Sequence, residues 1–207
     1  MPRFRLKIEY DGSGFVGWQR QKNGLGVQQI LEEAITQFCG DVAFVQGAGR
    51  TDSGVHALGQ VAHMDLKRHW PAETVRDALN AHLKGYLVSI IEAKNVGDDF
   101  HARFSAIERS YEYKIINRRA PLAVDIGRAW WIPQSLDVKM MEDASHLLIG
   151  PHDFTSFRAS ECQAKSPVKT INTITVCQAG DVIKVTSRAR SFLHHQIRNI
   201  VGSLAWV

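Results

Sequence analysis

The amino-acid sequence predicts an α+β protein of two consecutive split β-α-β halves, each with an antiparallel sheet, facing a central cleft. Three observations lead there. Some short runs alternate apolar and polar residues with the period of a half-buried strand. Other runs place apolar residues at helical spacing. The order of the two kinds, β-α-β-β-α, occurs twice along the 207 residues. Such an arrangement is ferredoxin-like, with helices on one face of each sheet and the other face open.

Phe4, Leu6, Ile8 and Tyr10 alternate as a strand that stops at the turn residues Asp11-Gly12-Ser13-Gly14. Val27, Ile30, Leu31, Ala34, Ile35 and Phe38 give a helix over 27 to 39, ended by Gly40. Short β-like runs over 42 to 49 and 58 to 66 flank a loop at 50 to 57. A second helix fits 72 to 84, opened by Pro71, and a strand over 86 to 96 completes β-α-β-β-α-β. In the second half a strand spans 110 to 117 and a helix 136 to 149. A hairpin of 169 to 177 and 182 to 189 turns at Gly180-Asp181, and 191 to 207 reads as helix. The halves divide at residues 1 to 100 and 101 to 207. The second set lacks its final strand and reaches Val207 inside a helix without a glycine stop, so a longer natural protein is expected.

A hydrophobic share of 44% and a charged share of 22% suit a soluble globular chain. No stretch of 18 apolar residues occurs, and the N-terminus alternates charged and apolar side chains, so a cytoplasmic location is expected. Cys39, Cys162 and Cys177 form no CxxC pair, which argues against a disulfide framework or a thiolate zinc site. Residues 1 to 100 carry 11 Lys+Arg against 12 Asp+Glu, whereas residues 101 to 207 carry 14 against 9. A basic second half suits a phosphate-rich partner.

Three segments concentrate chemistry. In 47 to 63, Arg50, Thr51 and Asp52 stand in a loop between Gly49 and Gly54. An Asp among glycines is ordinarily a turn residue. Here Arg50 is a candidate partner that keeps the carboxylate ionised, and Gln60 and His63 add hydrogen-bonding groups. In 100 to 113, Tyr111 and Tyr113 share one strand face near Arg103 and Arg109, a stacking surface with phosphate contacts; for Tyr113 the simpler reading is a half-buried sheet residue. In 190 to 202, Leu193, Ile197, Ile200, Val201 and Leu204 form a core-facing stripe and His194 and Arg198 share another face. Adjacent histidines on a helix diverge by about 100°, which argues against a metal site.

GRTDSGVHALGQVAH at 49 to 63, FHARFSAIERSYEYKI at 100 to 115 and FLHHQIRNIVG at 192 to 202 resemble, in order, the signature segments of TruA-type tRNA pseudouridine synthases. GSGFVGWQ at 12 to 19 is similar to that family's N-terminal motif. The resemblance implies that Asp52 is the nucleophilic carboxylate and that Tyr111 stacks on the target uracil. It makes Arg198 the cation paired with Asp52, and Arg50 a residue that holds the target nucleotide out of its stack. It further implies a homodimer of two-halved subunits acting on uridines 38 to 40 of the tRNA anticodon stem-loop, with no metal and no cofactor. Members of the family run some tens of residues past the last motif, a departure that bears on dimerisation and on completeness of the pocket.

Two other readings compete. A non-catalytic RNA-binding protein would use both sheets as stacking platforms and would give the Arg-Thr-Asp loop no task. A carboxylate-dependent hydrolase would need a second carboxylate opposite Asp52, for which Glu108, Glu112 and Asp153 are candidates, each of which reads more simply as a solvated surface residue.

Overall fold

The computed structural model describes all residues 1 to 207 and divides into two compact units, Met1–Ala106 and Ile107–Val207. The N-terminal unit runs β1 (Arg3–Tyr10), α1 (Val27–Cys39), β2 (Gln46–Gly47), β3 (Ala57–Asp65), α2 (Ala72–His82) and β4 (Val88–Val96). Its sheet has the order β2-β3-β1-β4 with every pair antiparallel, the arrangement of a split β-α-β fold. Alternation in β1 buries Phe4, Leu6, Ile8 and Tyr10, which pack with Val27, Ile30, Leu31, Ala34 and Ile35 of α1 and with Val75 and Leu79 of α2. Gly40 ends α1 in the left-handed region at φ 74°, its N–H donating to Thr36 O at 2.9 Å, a stop that a side chain would strain.

The expected strand at 42 to 49 shrinks to two residues. Ala43 and Val45 are buried while Val42 and Phe44 are exposed, so the alternation is real. Its hydrogen bonds go elsewhere, because Val45 N donates to Glu32 Oε1 at 3.2 Å and Lys67 N donates to Asp41 Oδ2 at 2.8 Å. Residue alternation specifies a buried face and does not by itself supply a ladder partner.

The C-terminal unit runs β5 (Arg109–Asn117), β6 (Trp130–Ile132), α3 (Val138–His146), β7 (Gly150–Asp153), β8 (Val168–Ala179), β9 (Val182–Ala189) and α4 (Gln196–Leu204). The order β6-β5-β9-β8-β7 contains the split β-α-β core β5-β9-β8. The outer edge of β5, where this plan places a fourth antiparallel strand, carries the short parallel β6 along Ile115 to Asn117. Both β6 and β7 went unpredicted because three or four residues are too few to show a period. Two expected helices are shorter than their patterns. Asp137 caps α3, accepting from Met140 N at 3.0 Å, and Gly150 turns the chain at φ 99°. The span 191 to 195 stays outside α4 because His195 is left-handed, at φ 61° and ψ 6°. The unit's core joins Ile115, Ile174, Val176, Ile183 and Val185 of the sheet to Met141, Ile200, Val201 and Leu204 of the helices.

Candidate active site

The Asp52 loop lies at the end of the N-terminal sheet, where β1 stops and β3 starts, and is held from several sides. Tyr10, buried at the end of β1, bonds through its hydroxyl to Thr51 Oγ1 at 2.7 Å. Trp18 N donates to Thr51 O at 3.0 Å, and Ser53 Oγ donates to Phe15 O at 3.3 Å. Val55 N closes a turn onto Asp52 O at 3.2 Å, and Gln60 Nε2 donates to Gly49 O at 2.9 Å. Farther along, His56 Nδ1 accepts from Gly12 N at 3.1 Å and lies 3.1 Å from Asp11 Oδ1.

Glycine makes this close docking possible at defined places. A Cβ on Gly17 would stand 2.6 Å from Thr51 O, and φ of 116° already excludes most side chains there. A Cβ on Gly47 would stand 2.7 Å from the Trp18 indole, which is buried. The segment 12 to 19 is therefore the bed on which the Asp loop rests, a role that spacing alone did not reveal. Its backbone meets the loop across sequence separations that run from Trp18–Thr51 through Phe15–Ser53 to Gly12–His56.

Asp52 is partly buried, whereas Arg50 is exposed and forms no ion pair. The expected pairing of Arg50 with Asp52 does not form, and the Arg50 side chain is solvated.

Tyr111 and Tyr113 lie on one face of β5, as expected, and that face carries the helices. Tyr111 is opposite Ser187, Tyr113 opposite Val185 and Ile115 opposite Ile183. Tyr113 packs against the core and meets Trp130 edge-on, with centroids 6.4 Å apart. Tyr111, half-buried farther along the strand, is met edge-on by Phe192 at 5.2 Å and 88°. An edge-to-face contact fixes a ring while leaving its plane defined for stacking.

Arg198 is exposed on the first turn of α4. The turn before it is built by specific bonds. Leu193 N donates to Gln196 Oε1 at 2.8 Å, Ala159 N donates to His194 O at 2.9 Å, and Asn199 Nδ2 donates to Phe157 O at 3.0 Å. Gln196 is buried, and its Nε2 has no hydrogen-bond partner. The histidines precede the helix, so they do not diverge as helical neighbours; their ring centroids are 4.0 Å apart. The helical reasoning against a metal at that pair therefore does not apply.

An antiparallel split β-α-β unit displays the Asp52 loop, and a second unit with the same strand core holds Tyr111 on its sheet. The family profile described as tRNA pseudouridine synthase matches residues 7–105 and 144–207. A protein of Paramagnetospirillum magneticum named tRNA pseudouridine synthase A is 58% identical over 207 residues, covering 100% of this chain and 81% of its own length. The proteins of the same name from Rhodospirillum rubrum and Parvibaculum lavamentivorans are 58% and 56% identical, with 74% and 84% of their lengths covered. The chain belongs to the tRNA pseudouridine synthase family, a family of isomerases. No helix is long and apolar enough to cross a membrane.

Proposed function

We propose that this chain isomerises uridine to pseudouridine at positions 38 to 40 of the tRNA anticodon stem-loop. Asp52 serves as the catalytic carboxylate, and Tyr111, Arg50 and Arg198 bind the target nucleotide. The observation that carries this reading is the fixation of the Asp52 loop by Tyr10, Trp18, Phe15 and Gln60. A carboxylate whose backbone is fixed before substrate arrives is preorganised for covalent or electrostatic work.

In the reaction the N1–C1′ bond breaks, the base turns over, and a C1′–C5 bond forms. C5 releases its hydrogen as a proton and N1 gains one, so composition is unchanged and no water, metal or redox partner is consumed. Attack of the carboxylate at C1′, attack at C6, and elimination to a glycal all begin from the ionised Asp52. The uridine must first leave its stack, at a cost of a few kcal/mol. A ring held as Tyr111 is offsets that cost by stacking, and the exposed Arg50 and Arg198 suit phosphate contacts. The same reading takes the enzyme to be a cytoplasmic homodimer, which light scattering of the purified protein tests directly.

Tritium release from tRNA labelled at uridine C5 tests the chemistry. The wild-type chain releases tritium, and Asp52→Asn lowers the rate by roughly 10⁴-fold or more while tRNA binding and thermal midpoint persist. An Asp52→Asn variant as fast as wild type removes Asp52 from the mechanism. Retained binding with no release from wild type points to a non-catalytic RNA binder. tRNA without uridine at 38, 39 and 40 releases no tritium; release from it overturns the positional assignment.

A further inference from the structure

We propose that the segment after β4 carries a second nucleobase subsite, in which the ring of Phe104 stacks on an unstacked base of the RNA substrate. This inference rests on the tRNA synthase reading and extends it to substrate recognition. Phe104 is a large apolar side chain left 71% exposed, yet it stands on a turn closed by several hydrogen bonds.

The segment 97 to 105 is strapped to the sheet by two side chains. Arg3 forms a fork on Asp65, with Nε to Oδ1 and Nη2 to Oδ2 both at 2.8 Å. Its remaining nitrogen, Nη1, donates to Asp98 O at 2.6 Å and to Phe100 O at 2.8 Å. His63, opposite Arg5 on β3 and buried at 7% exposure, accepts from Ala102 N through Nδ1 at 3.2 Å. Burial pushes the His63 imidazole below its ordinary range, with the nearby Arg3 and His101 acting in the same direction. A neutral ring is what an accepting Nδ1 requires. The Arg3 hydrogen bond holds the Asp65 carboxyl below its usual range, so the fork stays ionised.

On this base the chain makes one tight turn. Phe104 N and Ser105 N donate to His101 O at 3.0 and 2.8 Å, and His101 N donates to Ser105 Oγ at 3.0 Å. His101 Nδ1 lies 3.2 Å from Arg103 N and 3.4 Å from Phe104 N. Three rings then follow one another outward. His63 and His101 have centroids 4.7 Å apart, and His101 and Phe104 have centroids 4.4 Å apart at only 32° between planes. The series of rings begins in a buried imidazole, tilted 59° to that of His101, and ends in an exposed phenyl ring. The Arg103 guanidinium lies 5.8 Å from the centre of that ring. The acidic Asp98 and Asp99 act on Arg3, at the other end of the strap.

An aromatic ring with its backbone fixed, backed by other rings and flanked by a guanidinium, fits a base and its phosphate. Base stacking is tolerant of sequence and gains most when the platform is already ordered. Arg3 and His63, which anchor this segment, lie toward the opposite end of β1 and β3 from the Asp52 loop, so the base taken here is one well removed from the target uridine. An aliphatic protein ligand would gain nothing from ring planarity, and that difference makes the proposal testable.

Steady-state tritium release and binding of fluorescent tRNA are measured for wild type, Phe104→Ala, Phe104→Leu and Phe104→Trp. Phe104→Ala weakens tRNA binding and raises KM by about tenfold, within a range of roughly 5- to 100-fold, with kcat changed by less than about twofold. Phe104→Trp restores wild-type affinity and Phe104→Leu does not. Thermal midpoints stay together because the side chain is exposed. If Leu binds as well as Phe, the contact is merely apolar and stacking is wrong. If wild type isomerises tRNA and Phe104→Ala has an unchanged KM, the subsite is wrong while the synthase reading stands. If wild type neither binds nor isomerises tRNA, the synthase reading itself fails.

Discussion

The two units share a strand plan and fix their functional segments by opposite means. In the N-terminal unit, the Asp52 loop is docked by absence of side chain: Gly17 and Gly47 let backbone and indole approach where any Cβ would collide. In the C-terminal unit, the segment before α4 is shaped by side chains. His195 adopts a left-handed conformation without being glycine, and Gln196 spends its amide oxygen on Leu193 N inside the core. Close approach produces a stiff loop whose cost is entropic and is borne in the unfolded chain. A strained turn held by one buried amide stores its cost in the folded state. The loop bearing the proposed chemistry thus has no non-glycine residue in the left-handed region, which suits a carboxylate that must be held in place.

Substituting Gly17 is the most severe way to break this contrast. Gly17→Ala adds strain at φ 116° and a contact at 2.6 Å from Thr51 O, so it destabilises the protein by at least about 2 kcal/mol in urea unfolding. It also lowers the rate of tritium release beyond its effect on folding, measured well below the unfolding midpoint; unchanged turnover would show that the bed of the loop is dispensable.

Gln196→Met is next in size. It keeps the volume of the side chain and leaves Leu193 N without its acceptor, a cost that removal of the unpartnered buried Nε2 offsets in part, for a net loss of about 1 to 2 kcal/mol. Denaturation midpoints of the variant and of wild type check it, and equal midpoints would mean that the turn before α4 is held by its neighbours alone.

The smallest effect has the same sign as that at Gly17, glycine being favoured over alanine. His195→Gly and His195→Ala both remove the imidazole, so their difference isolates the backbone. With φ at 61°, the Gly variant is more stable than the Ala variant by about 1 kcal/mol. An Ala variant equal to Gly would place no strain at His195 and would dissolve the comparison.

Much of the fold was readable in the residues. The helix over Val27–Cys39 and the hairpin strand Val182–Ala189 have the bounds their periodicity indicates. The motif around Asp52 stands on a loop between two strands, and Tyr111 and Tyr113 share a face. The missing parts have a common physical origin. Periodicity reports which face is buried, but β2 is only two residues long because the Val45 N–H goes to a glutamate on α1 instead of to a strand. Likewise Leu193 continues the apolar stripe of α4, and the helix still begins later, because His195 is left-handed and the Gln196 side chain bonds back to Leu193 N.

The site shows the same division. Asp52, Arg50, Tyr111 and Arg198 became candidates through the resemblance of their segments, in order, to those of a known family, whereas an Asp among glycines reads locally as a turn residue. The exposure of Arg50, the edge-on support of Tyr111 by Phe192, the bed of Gly12 to Trp18 and the series of rings ending at Phe104 come from groups far apart in sequence. Residue chemistry and local period decide which elements form and which groups carry reactivity. The destinations of hydrogen bonds, the gaps that only glycine fits and the neighbours of each ring are settled by tertiary packing, because each requires partners that no local window contains.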